Sequence, residues 1–363
     1  MPDLYEWGWP QDRPLPDAVD PDHPEYVMGR VIISAGSTCR VAGDSKEYWA
    51  EMSGLMAHQR AGTAGKPVVG DWVIIQPMQN TDRAIIHDVL YRRGTIERHQ
   101  VDQDRSERST GIIQVLASNV DMALIAAALD RPLNLRSIER FMTVAYNGGV
   151  TPLVVLTKAD QHPNPDEVAS SVQDASPGAD VALVSMFDQD SLDRLSSRLA
   201  SGRTHVLLGP SGAGKSTLIN RLSGQDIQST GSVRVQDGKG RHTTTARELF
   251  RLPSGALVID TPGLRAVGLA GDGGGVNQVF PDIMALAEDC RFRDCRHQGE
   301  PGCAVEAAVQ TGTLDPERLQ SYRKLEREAE YEIRRTDTAA QRTEEKRFAR
   351  MCKEVSRMKK RGK

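Results

Sequence analysis

Eight consecutive residues have the composition of a phosphate-binding loop. They match the pattern G-x-x-x-x-G-K-S without exception and are Gly209, Pro210, Ser211, Gly212, Ala213, Gly214, Lys215 and Ser216. An apolar stretch ends just before them, and Ser216 and Thr217 open a segment with helical character. Glycines let the backbone wrap an anion closely, while successive N–H groups and the helix terminus bind it. In such a loop Lys215 reaches the β- and γ-phosphates and Ser216 ligates magnesium. The pattern predicts a site for a nucleotide with Mg²⁺.

A second candidate for the magnesium site follows the apolar stretch 256–259. Asp260 and Gly263 belong to the sequence Asp-Thr-Pro-Gly, about forty-five residues after the loop. An aspartate there can hold the magnesium shell through water, and the Gly263 N–H can sense the γ-phosphate. The alternative is an ordinary turn at the end of a strand.

Base recognition is predicted for the tetrapeptide Thr157, Lys158, Ala159 and Asp160, which follows another apolar strand. The aspartate can accept hydrogen bonds from the ring N–H and the exocyclic amine of guanine. Adenine offers neither group in that geometry, so the motif favours guanine. Ser185, after the predicted strand 181–184, lies where a second guanine-contacting loop is expected, although a plain loop serine is the alternative.

The order of these motifs is as informative as their composition. The guanine motif at 157–160 precedes the phosphate loop at 209–216, whereas in the usual small GTPase the phosphate loop comes first. Between that loop and Asp260 lies the segment 240–245, Gly-Arg-His-Thr-Thr-Thr, where a switch would present a threonine to magnesium and the γ-phosphate. A polar loop is the alternative there. The rotated order predicts a circularly permuted GTPase.

Three cysteines and one histidine form a candidate metal site in the C-terminal part. Cys290, Cys295, His297 and Cys303 supply three thiolates and an imidazole, a closed tetrahedral set for one structural zinc ion. Reduced structural cysteines are the alternative, because the spacing lacks the common C-x-x-C pair. Cys39 and Cys352 are interpreted as isolated thiols.

Bulk composition limits the class of protein. The chain has 363 residues, 39% hydrophobic and 26% charged, with a net charge of −3, as in soluble proteins of two or three domains. It lacks an apolar run near the ~20 residues of a membrane span, and its acidic amino terminus lacks a signal core. We therefore expect a cytoplasmic protein, with a monomer as the default. From residue 342 to the end, the chain has ten basic residues and three acidic ones. This excess of positive charge predicts contact with phosphate backbones.

The elements that must position these residues divide the chain into five parts. A Pro- and Asp-rich arm with exposed-looking Trp7 and Trp9 is expected to be disordered. Short predicted strands at 29–33, 39–42, 71–75 and 84–90 favour an oligonucleotide-binding (OB) barrel, or a β-module with only a packing role. Arginines after the last of these strands, among them Arg92, Arg93 and Arg98, favour an RNA-facing surface. Further along, apolar strands alternate with helices, which indicates a mostly parallel sheet covered on both faces. The predicted boundaries are an arm at 1–27, the barrel at 28–100, an α/β P-loop GTPase domain with permuted motif order at 101–275, a mainly helical zinc domain at 276–335 and a basic helical tail at 336–363.

Together these residues closely resemble the ribosome small-subunit-dependent GTPase A family, a group of bacterial circularly permuted GTPases. The resemblance runs from about residue 28 to 335 and is most specific at 209–216, 240–245 and 290–303. It implies an OB barrel, a permuted GTPase domain and a C-terminal zinc domain. It also implies a role in late maturation of the small ribosomal subunit, with binding to its rRNA. Hydrolysis of GTP to GDP and phosphate would be slow alone and accelerated by that subunit.

Two departures from familiar GTPases bear on the catalytic residues. Thr157 stands where many GTPases carry Asn, which predicts a looser nucleotide loop. Leu264 follows Gly263 where Ras-like enzymes place the water-orienting Gln, so the resemblance makes His242 the candidate for that role, beside Lys215. His242 has the alternative of contacting rRNA. Leu264 also leaves open an RNA-binding, GTP-controlled switch with negligible turnover. A P-loop ATPase or kinase would require Asp160 to be irrelevant.

Overall fold

A computed structural model describes residues 4–16, 25–43, 46–59, 65–99, 113–176, 179–225, 247–261 and 274–334. The strands within these ranges are β1 (Val27–Ala35), β2 (Thr38–Ala42), β3 (Glu47–Met52), β4 (Trp72–Pro77), β5 (Arg83–Val89), β6 (Ile96–His99), β7 (Ile113–Ala117), β8 (Met122–Ala128), β9 (Thr151–Thr157), β10 (Asp180–Val184), β11 (Thr204–Leu208), β12 (Arg247–Arg251) and β13 (Leu257–Asp260). The helices are α1 (Gly54–Gln59), α2 (Leu135–Asn147), α3 (Pro165–Ala175), α4 (Gln189–Arg198), α5 (Lys215–Ser223), α6 (Gly274–Val279), α7 (Pro281–Ala287), α8 (Ala304–Gln310) and α9 (316–334). Within the described part of the chain, no helix is long and apolar enough to cross a bilayer.

Five strands near the amino terminus close into a barrel. They pair in the order β1-β2-β3-β5-β4, and β4 pairs again with β1. Alternate residues of each strand point inward, so Val31, Val41, Ile75 and Ile86 have no exposed surface and form one apolar core. The predicted N-terminal β-barrel of the OB class is confirmed.

The second unit is an α/β sheet in the order β10-β9-β8-β11-β13-β12, in which only β12 runs antiparallel to its described neighbours. Adjacent residues of β8 point to opposite faces. Ile125 contributes to a core with α2, α3 and α6, whereas Leu124 contributes to a core with α4 and α5. This arrangement confirms the predicted sheet covered on both faces. Strand β12 also pairs with β1, where Ile33 lies opposite Glu248, so the sheet and the barrel are hydrogen-bonded to each other.

Helices α7, α8 and α9 form a mainly helical C-terminal unit, which Arg318 anchors to the α/β sheet. This side chain is 8% exposed and pairs with Asp282 at 2.5 Å and with buried Glu139 of α2 at 3.2 Å. Its guanidinium also lies 4.6 Å from the ring centroid of Phe280. Burial raises the pKa of Glu139, whereas the Ser321 hydroxyl and the Arg318 charge lower it. A buried pair that lost one partner would leave an uncompensated charge, so this contact holds the unit in one orientation.

Residues 4–16 of the amino-terminal arm pack against the barrel. Trp9 is 3% exposed and meets Trp72 edge to face, with ring centroids 5.0 Å apart. Its indole N–H donates to the Arg13 carbonyl at 3.0 Å, and the Arg13 guanidinium lies 4.6 Å from the ring centroid. The expectation of an exposed Trp9 is therefore wrong, because the barrel offers Met28, Trp72 and Ile74 as an apolar surface to cover. Of the arm at 1–27 that is predicted to be disordered, residues 1–3 and 17–24 lie outside the described residues.

Arg30 joins the arm, the barrel and the α/β sheet at one point. The side chain is 1% exposed, and its guanidinium donates to the carbonyls of Trp7, Gly70 (3.2 Å) and Asn119 (3.2 Å) and to the Thr204 hydroxyl (2.9 Å). Burial lowers its pKa to about 10, against the raising effect of nearby Asp121 and Asp71. The cation is thus held by neutral oxygens from three parts of the chain.

We expect the substitution Arg30→Met to lower the free energy of unfolding by about 2–4 kcal/mol, because several buried oxygens would lose their donor. Urea denaturation followed by tryptophan fluorescence measures the change. Arg198→Met is the matched control, since Arg198 is paired with Asp180 at the surface and such pairs contribute only ~0–1 kcal/mol. Equal denaturation midpoints for the two variants would contradict the assignment.

Candidate nucleotide and metal sites

The predicted phosphate loop connects strand β11 to helix α5. Gly209 has φ +132°, and a Cβ atom there would lie 2.4 Å from the Ala126 carbonyl oxygen, so only glycine fits beside strand β8. Pro210, Ser211 and Gly212 are exposed, and Ala213 is buried under them. The loop ends at Gly214, and the first turn of α5 carries the predicted residues Lys215, Ser216 and Thr217. The backbone therefore has the strand–loop–helix form that can wrap a phosphate.

Lys215 folds back over this loop. Its ammonium donates to the carbonyls of Gly209 at 2.8 Å and Pro210 at 2.7 Å. Burial lowers the pKa of Lys215, whereas the charge of Asp260 raises it. A partly desolvated cation gains from the arrival of an anion, so the Lys215 side chain suits a phosphate ligand.

Asp260 lies next to the loop because strands β11 and β13 are parallel neighbours, with Leu207 opposite Asp260. It is 7% exposed, and burial raises its pKa while Lys215 lowers it. Thr261 fixes the end of the strand by donating its hydroxyl hydrogen to the Leu207 carbonyl at 2.7 Å. The Asp260 carboxylate interacts with Lys215, whose neighbour in the first turn of α5 is Ser216, and carboxylate and hydroxyl oxygens are ligands that Mg²⁺ prefers.

The guanine motif ends strand β9 and contacts the phosphate loop directly. Thr157 is fully buried, and its hydroxyl donates to the Ala213 carbonyl at 2.9 Å. This hydrogen bond ties the two loops together, and the expectation that Thr157 loosens the nucleotide loop relative to Asn stays a prediction. Ala159 and Asp160 follow in a single 3-10 turn. The Asp160 carboxylate accepts a hydrogen bond from the Ser185 hydroxyl at 2.7 Å, so the structure brings these two predicted residues together.

Two residues of this site were missed by the sequence analysis. Asp130, just beyond strand β8, pairs with Lys158 of the guanine motif at 2.5 Å and with its neighbour Arg131 at 2.8 Å. Hydrogen bonds from Arg131 and Lys158 lower the pKa of the Asp130 carboxyl. The Arg131 guanidinium reaches the phosphate loop, 3.3 Å from where a Cβ of Gly212 would lie. The position of both at the carboxyl end of a buried strand was the available signal.

Several predicted residues lie outside the described ranges. These are the switch segment 240–245 with His242, and Gly263 with its neighbour Leu264. The described chain resumes at β12, directly after the switch segment, and that strand lies between β13 and β1.

The four predicted metal ligands come together in the C-terminal unit. The ligand atoms of Cys290, Cys295, His297 and Cys303 all lie within 4.8 Å of one another. His297 Nδ1 is 3.6 Å from the Cys290 sulfur and 3.5 Å from the Cys303 sulfur. The backbone N–H groups of Ala304 and Glu306 point at two of the sulfurs at 3.4 Å, an arrangement that stabilises thiolates. Three thiols and an imidazole around one point can hold a tetrahedral metal ion.

We expect Thr157→Val, which keeps the shape but removes the hydroxyl donor, to speed nucleotide dissociation about 3- to 10-fold, since one buried hydrogen bond contributes ~1 kcal/mol. Stopped-flow release of a fluorescent guanine nucleotide measures the rate. Thr151→Val, at the exposed start of the same strand, is the control. A dissociation rate unchanged by Thr157→Val would show that the hydrogen bond between the loops does not contribute to nucleotide binding.

Comparison with known proteins agrees with this geometry. A profile described as RsgA GTPase matches residues 91–270. A small ribosomal subunit biogenesis GTPase RsgA of Opitutus terrae is 44% identical over 335 residues, covering 90% of this chain and 90% of that protein. The protein of the same name from Streptomyces coelicolor is 44% identical over 341 residues, covering 93% and 89%. Among solved structures, YloQ, described as a circularly permuted GTPase, has a TM-score of 0.59 at 23% identity and covers 86% of this chain and 97% of that one. YjeQ from Thermotoga maritima has a TM-score of 0.58 at 21% identity, covering 84% and 98%.

Proposed function

This chain belongs to the RsgA family of GTPases, and we propose that it hydrolyses GTP on the small ribosomal subunit during late maturation of that subunit. The chain is a GTP hydrolase by this membership. The partner follows from the names of its relatives. The observation that carries the proposal is the Thr157–Ala213 hydrogen bond, which makes base recognition and phosphate binding a single site.

In this proposal the loop 209–214 wraps the phosphates of GTP, and the first turn of α5 completes the cradle with Lys215, Ser216 and Thr217. Lys215 exchanges its two carbonyl partners for phosphate oxygens, which its lowered pKa and partial burial favour. Ser216 and, through water, Asp260 are the residues that would hold Mg²⁺. When bound, that ion neutralises negative charge on the phosphate oxygens during transfer to water.

Guanine specificity is assigned to Asp160, with Ser185 as the residue that orients it. The Ser185 hydroxyl donates to one carboxylate oxygen and leaves the other to accept from the guanine edge. Asp130 holds the aliphatic stem of Lys158 beside the base-binding position through the 2.5 Å pair. An adenine would leave the Asp160 carboxylate without donors, which is the source of discrimination.

The switch roles rest on the family resemblance. We assign the threonines at 243–245 to the γ-phosphate and magnesium, the Gly263 N–H to sensing of the γ-phosphate, and His242 to orientation of the attacking water. The metal in the C-terminal unit is assigned as one structural zinc ion, because Cys290, Cys295, His297 and Cys303 leave no open coordination position for a reacting group. The barrel, this zinc unit and the basic tail are the proposed contacts with rRNA. The proposed state is a monomer, and a ribosomal partner implies a cytoplasmic location.

Steady-state GTP hydrolysis, titrated with purified small ribosomal subunits, tests the function. We expect turnover to rise with subunit concentration for GTP and not for ATP. Lys215→Ala should lower the stimulated rate about 100-fold or more, because it removes a charge that stabilises the transition state. Lys324→Ala, an exposed lysine of α9, is the matched control. Tight GTP binding without stimulated turnover would instead identify a GTP-controlled RNA-binding switch.

Metal content tests the zinc assignment. We expect one zinc ion per chain by elemental analysis, and loss of that ion in Cys303→Ser together with destabilisation of the C-terminal unit. Cys39→Ala should keep the metal, since Cys39 lies in the barrel core, where burial raises the pKa of its thiol to about 11. A full complement of zinc in Cys303→Ser would refute the ligand set.

A further inference from the structure

A cavity of about 400 Å³ lies where the amino-terminal arm, the barrel and the α/β sheet meet. One wall comes from the arm between Tyr5 and Arg13, and a second from Arg30 and Trp72 of the barrel. The third wall consists of residues 119–121, which precede strand β8, and of residues 201–204, which lead into strand β11. The volume lies within the ~300–1,000 Å³ of small-molecule sites. We call this space the arm cavity.

The arm cavity is separate from the GTP site. Thr204 is the first residue of β11, whereas the phosphate loop begins after Leu208, the last residue of that strand. Five strand residues span about 16 Å, so the two sites lie at opposite ends of the parallel strands. A ligand in the arm cavity cannot be the GTP that the loop binds.

The lining is rich in arginine, and its members differ in how they are paired. Arg30 donates four hydrogen bonds to protein oxygens, and Arg203 pairs with Asp121 at 2.8 Å. Arg13 stacks on the Trp9 ring, and the exposed Arg93 lines the same cavity. Within the described part of the chain, neither Arg13 nor Arg93 has an ion-pair partner. Two cations are therefore available to an anionic ligand.

Aromatic side chains line the same space. Tyr5 is 49% exposed, while Trp9 and Trp72 contribute buried ring surface. Arginines beside aromatic rings are the combination that binds a nucleotide, since the ring contacts the base and the cation contacts the phosphate. The backbone N–H groups of Gly202, Arg203 and Thr204 donate to protein oxygens. These groups are therefore not available to a ligand, so a phosphate in the arm cavity would be held by side chains.

We propose that the arm cavity binds one nucleotide of single-stranded RNA, with Arg93 and Arg13 on the phosphodiester and Tyr5 against the base. The choice of RNA rests on the proposed function, whereas the cavity and its charge do not. The arm is then a binding element that clamps the strand against the barrel.

A cross-linking experiment on the full chain tests this proposal. A uridine decanucleotide carrying 4-thiouridine is bound, irradiated and mapped by mass spectrometry, and its affinity is followed by fluorescence anisotropy. We expect cross-links to residues 4–16. Arg93→Gln should remove them, weaken binding about 3- to 10-fold and reduce the salt slope by about 1. Arg194→Gln, an exposed arginine on α4, is the matched control and should behave as the parent chain.

Cross-links confined to other parts of the chain, or an unchanged affinity of Arg93→Gln, would overturn the proposal. Displacement of the cross-links by millimolar uridine monophosphate would assign the arm cavity to a free nucleotide and also overturn it. Arg93 is exposed, so the Arg93→Gln variant should fold, and its circular dichroism spectrum checks this. Subunit-stimulated GTP hydrolysis is measured on the same proteins. If the parent chain shows no stimulated hydrolysis, the proposed function is contradicted. If it shows stimulated hydrolysis but no cross-links to residues 4–16, only the proposal for the arm cavity is contradicted.

Discussion

The buried guanidinium of Arg30 is the interaction on which the arrangement of the other parts depends. Among the described residues no carboxylate pairs with it directly, and its hydrogen bonds go to carbonyl and hydroxyl oxygens of the arm, the barrel and the α/β unit. Desolvating a cation is costly, so the charge is tolerated only while all three parts remain in place. Arg318 performs the same task for the C-terminal unit. Each joint therefore adds a polar, geometrically specific contact to the apolar core that the parts share.

The residues of the nucleotide site are brought together by the sheet and not by their order in the chain. Strands β8, β9, β10 and β11 are parallel, so residues that follow them in sequence meet at one edge. Cutting the chain at a different loop changes which motif comes first but leaves that edge intact. The hydrogen bond from Thr157 to Ala213 joins motifs more than fifty residues apart in this rotated order. Rotation of the motifs is thus compatible with an unchanged nucleotide site.

Features carried by contiguous residues were predictable, and those that depend on neighbours across the fold were not. The phosphate loop and the apolar strands were read directly, because their geometry follows from local composition. Strand β3 was not predicted, because exposed Trp49 alternates with buried Tyr48 and Ala50, and this pattern is weaker than a continuous apolar run. Asp130 was not predicted as a site residue, because its pairing with Lys158 depends on which strand lies beside β8. Arg92 was interpreted as RNA-facing, yet it pairs with buried Asp71 at 2.8 Å, a partner that only the barrel closure reveals.

The pairing of β1 with β12 has a consequence for the order in which this chain acquires its structure. The two strands are about two hundred residues apart, yet Ser34 lies opposite Arg247. During synthesis from the amino terminus the barrel can close long before β12 exists, since all its strands lie within the first ninety residues. Ile33 and Ser34, which lie beyond the residues of β1 that pair with β4, then remain unpaired on one side until the α/β sheet is nearly complete. The early barrel thus serves as the template on which the last strands of the sheet are added, and long-range pairing of this kind slows folding.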